Sequence, residues 1–238
     1  MQTIHAIKIL EKYPTFNIST LADILNKDNN YAKVYLNRMK NKGIVHKIQR
    51  NVYAVNAEPL IVASRIIWPS YISMWEALHY HGLTEQIPHE ICVLTTCAKG
   101  LKMITIGNTR ITFKRIMPKY FFGFSKVLMK NFEVFIAEPE KAIIDAALFH
   151  EISFSEICFI VKENKDKISG DKMIDYVYRI RNSALAKRFG WILEKIGYKS
   201  TEKLRALSYE TITPLDYAMP HLGTRDQKWN IIVNIKDL

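Results

Sequence analysis

The chain has 238 residues, 48% of them hydrophobic, enough apolar material for a real core, which excludes a disordered chain. Its formal net charge of +11 favours a polyanionic partner. There is no basic start followed by an apolar signal core and no run of about 18 apolar residues, so a soluble, cytoplasmic protein with no membrane partner is expected. Three cysteines cannot all pair, and free, reduced thiols fit that compartment.

The charge is unevenly spread. Residues 1–56 hold nine basic side chains against Glu11, Asp23 and Asp28, more than half of the net charge in under a quarter of the length. Such asymmetry points to a nucleic acid or another acidic surface.

In chain order, Ile4, Ile7, Ile9, Leu10 and Tyr13 fall near helical spacing before Pro14. A second helix starts at Ser19 and carries Leu21, Ile24 and Leu25. The segment NKDNN (26–30) supplies cap and turn residues for a third helix over 30–42, which Gly43 ends as the C′ residue. Two short β-branched runs then flank a Gln49-Arg50-Asn51 turn. Three helices and a hairpin predict a winged helix-turn-helix over residues 1–56.

On the third helix, Ala32, Leu36 and Met39 form the apolar stripe, and Asn30, Tyr31, Val34, Asn37, Arg38 and Asn41 face away from it. Asn matches adenine, Arg matches guanine, and an exposed Val can meet a thymine methyl. Asn30, Val34, Asn37 and Arg38 are therefore expected near bases, with Lys33, Lys42, Lys47 and Arg50 mostly at phosphates. Gln49, Arg50 and Asn51 form the wing tip. A solvated amphipathic face is the competing reading, but residues 27–50 contain seven basic side chains and only Asp28 opposing them.

NAEPL (56–60) reads as a linker with Pro59 at N1 of the next helix, which places a second domain over 57–238. In it, Ser73 and Glu76 have capping-box spacing ahead of a helix ended by Gly82. Residues 90–96 and 109–116 read as strands, and 102–107 pairs through a Gly107-Asn108 turn. A strand passes into a helix at Pro139, Ser153 and Glu156 repeat the capping box, helices follow to about 208, and 228–237 is a closing strand. The predicted class is α+β: the winged helix followed by a larger mixed α+β domain.

Three phrases, KGIVHKIQRNVYAV (42–55), YISMWEALHYHGLTEQIPHEICVLT (71–95) and VFIAEPEKAIIDAAL (134–148), in this order and spacing, resemble the AbiEi family of antitoxins and transcriptional regulators of abortive-infection systems. KWNIIVN (228–234) fits as well, so the resemblance covers nearly the whole chain. It implies an N-terminal winged helix that binds inverted repeats of double-stranded DNA in its own promoter, and a C-terminal domain that counters a nucleotidyltransferase toxin. It also implies a type IV antitoxin, acting without a stable complex with that toxin. The family's wing usually has Gly where this chain has Asn51, and Asn is among the few other residues that tolerate φ > 0.

Other readings compete. Glu140, Lys141 and Asp145 evoke a metal-dependent nuclease, but those sites want Glu-x-Lys on a strand, whereas Pro139 opens a helix here. Glu138 and Glu140 at the helix N-terminus, with an i,i+4 Lys141–Asp145 pair, are read as structural. His79 and His81 diverge on a helix, and His150-Glu151 lacks a second His, so no metal, cofactor or catalytic residue is expected. The basic tract 179–200, with Arg179, Arg181, Lys187 and Arg188, is either a solvated helix pair or a surface for RNA or the toxin's substrate. A winged-helix transcription factor without a toxin partner, its C-terminal domain sensing a ligand or dimerising, is the alternative to the antitoxin.

Overall fold

The computed structural model describes residues 2–97 and 102–235 and is mixed α+β. It opens with helices α1 (Gln2–Leu10), α2 (Ile18–Leu25) and α3 (Asn29–Asn41) and a hairpin of β1 (His46–Gln49) and β2 (Val52–Ala54). Short polar side chains set the helix ends. Asn17 accepts from the Thr20 N–H to start α2, and Asp28 accepts from the Asn30 and Tyr31 N–H groups to start α3. Gly43, at φ +68°, ends α3: its N–H donates to Lys40 and the Ile44 N–H to Met39, the paired bonds of a Schellman turn.

The apolar stripes of the three helices close on one small core of Leu10, Phe16, Leu21, Ala22, Ala32, Leu36, Met39 and Val45. Phe16 and Tyr53 exchange backbone hydrogen bonds at 2.8 and 2.9 Å, which stitches the loop after α1 onto β2.

There follow α4 (Pro59–Ile66), β3 (Ser70–Ser73), α5 (Trp75–Tyr80), β4 (Glu90–Thr95), β5 (Met103–Ile106), β6 (Thr109–Arg115), β7 (Phe124–Met129) and β8 (Phe132–Ala137). After these come α6 (Pro139–Leu148), α7 (Phe154–Glu163), α8 (Gly170–Ile180), α9 (Ser183–Lys195), α10 (Glu202–Arg205), β9 (Thr213–Pro214), β10 (Thr224–Asp226) and β11 (Ile231–Val233). One sheet runs in the order β5-β6-β4-β3-β8-β7. In it β5 lies antiparallel to β6 across the Gly107-Asn108 turn, while β4 lies parallel to β6 with Ile91 opposite Ile111. A second sheet, β10-β11-β9, closes the chain.

Two compact units emerge. The first comprises Met1–Ile72, His89–Arg115 and Lys126–Phe135; the second comprises Ser73–Pro88, Ile116–Ser125 and Ile136–Leu238. The hairpin and strands β4 to β6 therefore belong to the same unit, and residue 56 lies inside it. In the second unit α6 is buried from Glu140 to Ala147, and α9 from Leu185 to Leu193. Gly190 on α9 lets Trp229 dock flat: a Cβ there would sit 2.2 Å from the indole, whose N–H donates to Glu194 at 2.8 Å. Among the described residues no helix is long and apolar enough to cross a membrane.

Two predicted elements are corrected. The closing strand expected over 228–237 is confined to Ile231–Val233, with residues 227–230 in a turn and 236–237 outside the described residues. Ser73 caps no helix; it ends β3, a strand whose four residues are all buried. Its hydroxyl donates to Asp145 at 2.9 Å, while Met74, at φ +59°, turns the chain into α5. A short strand covered on both faces has no polar alternation to mark it, which is why the local pattern read as a helix entry.

Candidate nucleic-acid interface

The burial of Ala32, Leu36 and Met39 against α1 and α2 turns the other side of α3 to solvent. Asn30, Tyr31, Lys33, Val34, Asn37, Arg38 and Asn41 are all exposed, Val34 at 54% and Tyr31 at 44%. Val34 and Tyr31 thus stand open on a helix whose core stripe is already complete. Tyr31 stacks on Tyr35 with ring centroids 6.2 Å apart, which fixes one flank of the face.

The other flank is basic. Lys33, Asn37 and Lys40 follow one another along α3 at four- and three-residue spacing, so they form a row. That row and Lys47 on β1 border a recess of about 280 Å³ floored by Ile18, Leu36 and Tyr53. Lys42 caps α3, and Arg50 stands exposed at the hairpin tip. Among the described residues, none of Lys33, Arg38, Lys40, Lys42, Lys47 and Arg50 is paired with a carboxylate. Their charges are therefore not neutralised within the fold and remain available to an anion.

The hairpin tip is built differently from the rest. Gln49 is half-buried opposite Val52, leaving Arg50 and Asn51 as the two-residue loop. Asn51 adopts φ +57°, and its Oδ1 accepts from the Ile18 N–H at 3.2 Å. The carbonyl end of Asn51 is thus committed to the first turn of α2, which holds the hairpin tip in place. Lys40 and His46 are exposed and were not among the predicted site residues; the helical spacing of Lys33, Asn37 and Lys40 could have found the first, whereas nothing local marks His46.

No protein-family model matches this chain, and no curated protein does either.

The second set of predicted site residues is split between surface and interior. Arg179 and Arg181 are exposed, the former with its guanidinium 3.9 Å from the centre of the Phe122 ring. Lys187 and Arg188, however, are only 0% and 5% exposed. The Lys187 ammonium bonds the Thr211 carbonyl, and Arg188 Nε donates to the Pro214 and Leu215 carbonyls at 3.1 and 3.0 Å. Lys187 and Arg188 therefore belong to neither a solvated face nor a basic patch, because the segment after α10 folds over α9 and covers both side chains. Burial pushes the Lys187 ammonium below its usual range, and it does the same to the Arg188 guanidinium.

The carboxylates of the 138–145 segment are also engaged internally. Lys141 and Asp145 form their i,i+4 pair at 0% exposure. Glu140 accepts from the Ser169 N–H at 2.8 Å, Glu138 accepts from the Tyr176 hydroxyl, and Lys172 lies 3.0 Å from Glu138 and 3.5 Å from Glu140. No substrate reaches the Lys141–Asp145 pair as it stands. Among the described residues, no group of three His, Cys, Asp or Glu side chains is placed to hold a metal ion.

Proposed function

We propose that residues 1–56 act as a winged helix and that the chain is a DNA-binding autorepressor and antitoxin of the AbiEi type. The observation that carries the DNA half is the row Lys33, Asn37, Lys40 on α3 meeting Lys47 on β1, its lysines unpaired with any carboxylate among the described residues, beside the open polar face of the same helix. A polar helix face with unneutralised lysines on its flank has the chemistry of a major-groove reader with phosphate contacts at its side. In this reading Asn30, Val34, Asn37 and Arg38 face bases, and Lys33, Lys42, Lys47 and Arg50 face phosphates.

The antitoxin half rests on the resemblance carried by the three sequence phrases. It makes the chain a binding protein rather than an enzyme, acting in the cytoplasm against a nucleotidyltransferase without a stable complex. The buried Lys187 and Arg188 take no part in that activity except through the fold.

Two measurements test the reading. Binding of the full chain to the duplex from upstream of its own reading frame is expected to weaken with salt, and Arg50→Ala to flatten the slope of log affinity against log salt by about 0.9. Co-expression with a neighbouring nucleotidyltransferase gene is expected to restore growth. Absence of duplex binding overturns the repressor half; binding without growth rescue leaves a transcription factor with no toxin partner.

A further inference from the structure

Lys40 and Lys47 border two recesses. On their far side lies a larger cleft of about 600 Å³, with His46 and Pro59 on its margins and Thr105 and Gly107 of the β5–β6 turn as its opposite wall. Strand β1 packs beside β5, so both walls belong to the same compact unit. Among the described residues no carboxylate lines this cleft. Apolar side chains such as Val45, Ile48 and Ile106 line it in part, one wall adds two ammonium groups and an imidazole, and the other adds a threonine hydroxyl and an exposed glycine turn with open space where a Cβ would stand. Two ammonium groups at an open cleft with no carboxylate suit an anionic chain passing through better than a compact apolar ligand, which would need an enclosed, mostly apolar site.

We infer that this cleft takes the sugar-phosphate backbone of duplex DNA next to the bases read by α3, so that the β5–β6 turn is part of the nucleic-acid interface. The inference rests on the DNA-binding reading and extends it beyond residue 56. The recess between α3 and β1 and the cleft between β1 and β5 are joined at Lys40 and Lys47, which gives one continuous basic track. Because phosphates follow one another closely along a strand, a backbone entering the first recess is carried past Lys40 into the second.

The test uses the full chain, a fluorescein-labelled duplex from upstream of its own reading frame, and anisotropy over a range of salt. Thr105 is exposed on β5, so opposite charges can be placed there without disturbing a core. Thr105→Lys is expected to tighten binding and steepen the salt slope by about 0.9, Thr105→Glu to weaken binding, and Lys40→Gln to flatten the slope by about 0.9. A gain with Thr105→Lys cannot arise from unfolding. Wild-type affinity and slope in both Thr105 variants, with binding still weakened by Arg38→Ala, would remove the cleft and leave the α3 interface standing. Failure of the wild-type chain to bind the duplex would remove both.

Discussion

Asn51 and Ile18 are joined by a hydrogen bond across 33 positions of sequence, the Asn51 side chain accepting from the first N–H of α2 at 3.2 Å. A glycine at 51 would satisfy the φ of +57° but could not make this bond. Asn51→Gly is therefore expected to lower stability by about 1 kcal/mol, the loss of one capping bond. Asn51→Ala loses the same bond and places a Cβ in the left-handed region, costing about 1 kcal/mol more. Urea unfolding of the full chain would rank wild type, Gly and Ala in that order; a glycine variant as stable as wild type would refute the tie.

Lys187 and Arg188 should respond to charge reversal as core residues. Lys187→Glu buries a carboxylate against the Thr211 carbonyl, and Arg188→Glu does the same against Pro214 and Leu215. Each substitution is expected to cost at least about 3 kcal/mol, because it replaces a paired buried cation with an unpaired anion. Arg181→Glu, on an exposed cap, should melt within a degree or two of wild type, consistent with about 0.5 kcal/mol or less. Thermal melts followed by circular dichroism separate the cases. Equal melting of all three would mean the segment after α10 does not cover α9.

The Lys141–Asp145 pair offers a different contrast. Removing Lys141 alone leaves a carboxylate at 0% exposure without its ammonium, a loss of about 3–5 kcal/mol. Replacing both with apolar residues, Lys141→Met with Asp145→Leu, removes the charges together and should cost less than either single change. The Ser73 hydroxyl then loses its acceptor, so full recovery is not expected. Additive losses in the double variant would mean that the two charges do not depend on each other.

Asp216 should set part of the acid limb of stability. Burial alone would raise its carboxyl, but hydrogen bonds from the Ser155 side chain, the Ala218 N–H and the Ser155 N–H hold it below the usual carboxylate range. The native state therefore gives up this proton more readily than the unfolded chain. The resulting stability is complete above the unfolded value near 3.9 and is lost as pH falls through the lowered native value. Asp216→Asn is expected to lower the melting temperature at neutral pH and to make its fall below about pH 4 shallower. A parallel fall in both proteins would exclude Asp216 as a source of that dependence.

What could be read from sequence was local. Gly43 announced its Schellman turn, Pro59 and Pro139 opened helices, Ser153 capped α7, and Asn51 signalled a positive φ, because each effect acts within one turn of the chain. The 3.6-residue spacing of Ala32, Leu36 and Met39 likewise settled which side of α3 would be buried and which would be left open.

The rest depended on contacts between segments far apart in the chain. Lys187 and Arg188 read as surface charges because nothing within reach along α9 predicts that residues 211–215 will fold across them and bring carbonyls to be satisfied. Ser73 read as a cap because its true acceptor, Asp145, lies 72 positions away. His46 carried no special signal until β1 and the β5–β6 turn came together beside it. Sequence alone determined the first three helices, several helix ends and the basic, polar character of the α3 face. Tertiary structure alone decided which charges stay open to a partner, since that depends on the solvent left to each side chain after distant segments have packed.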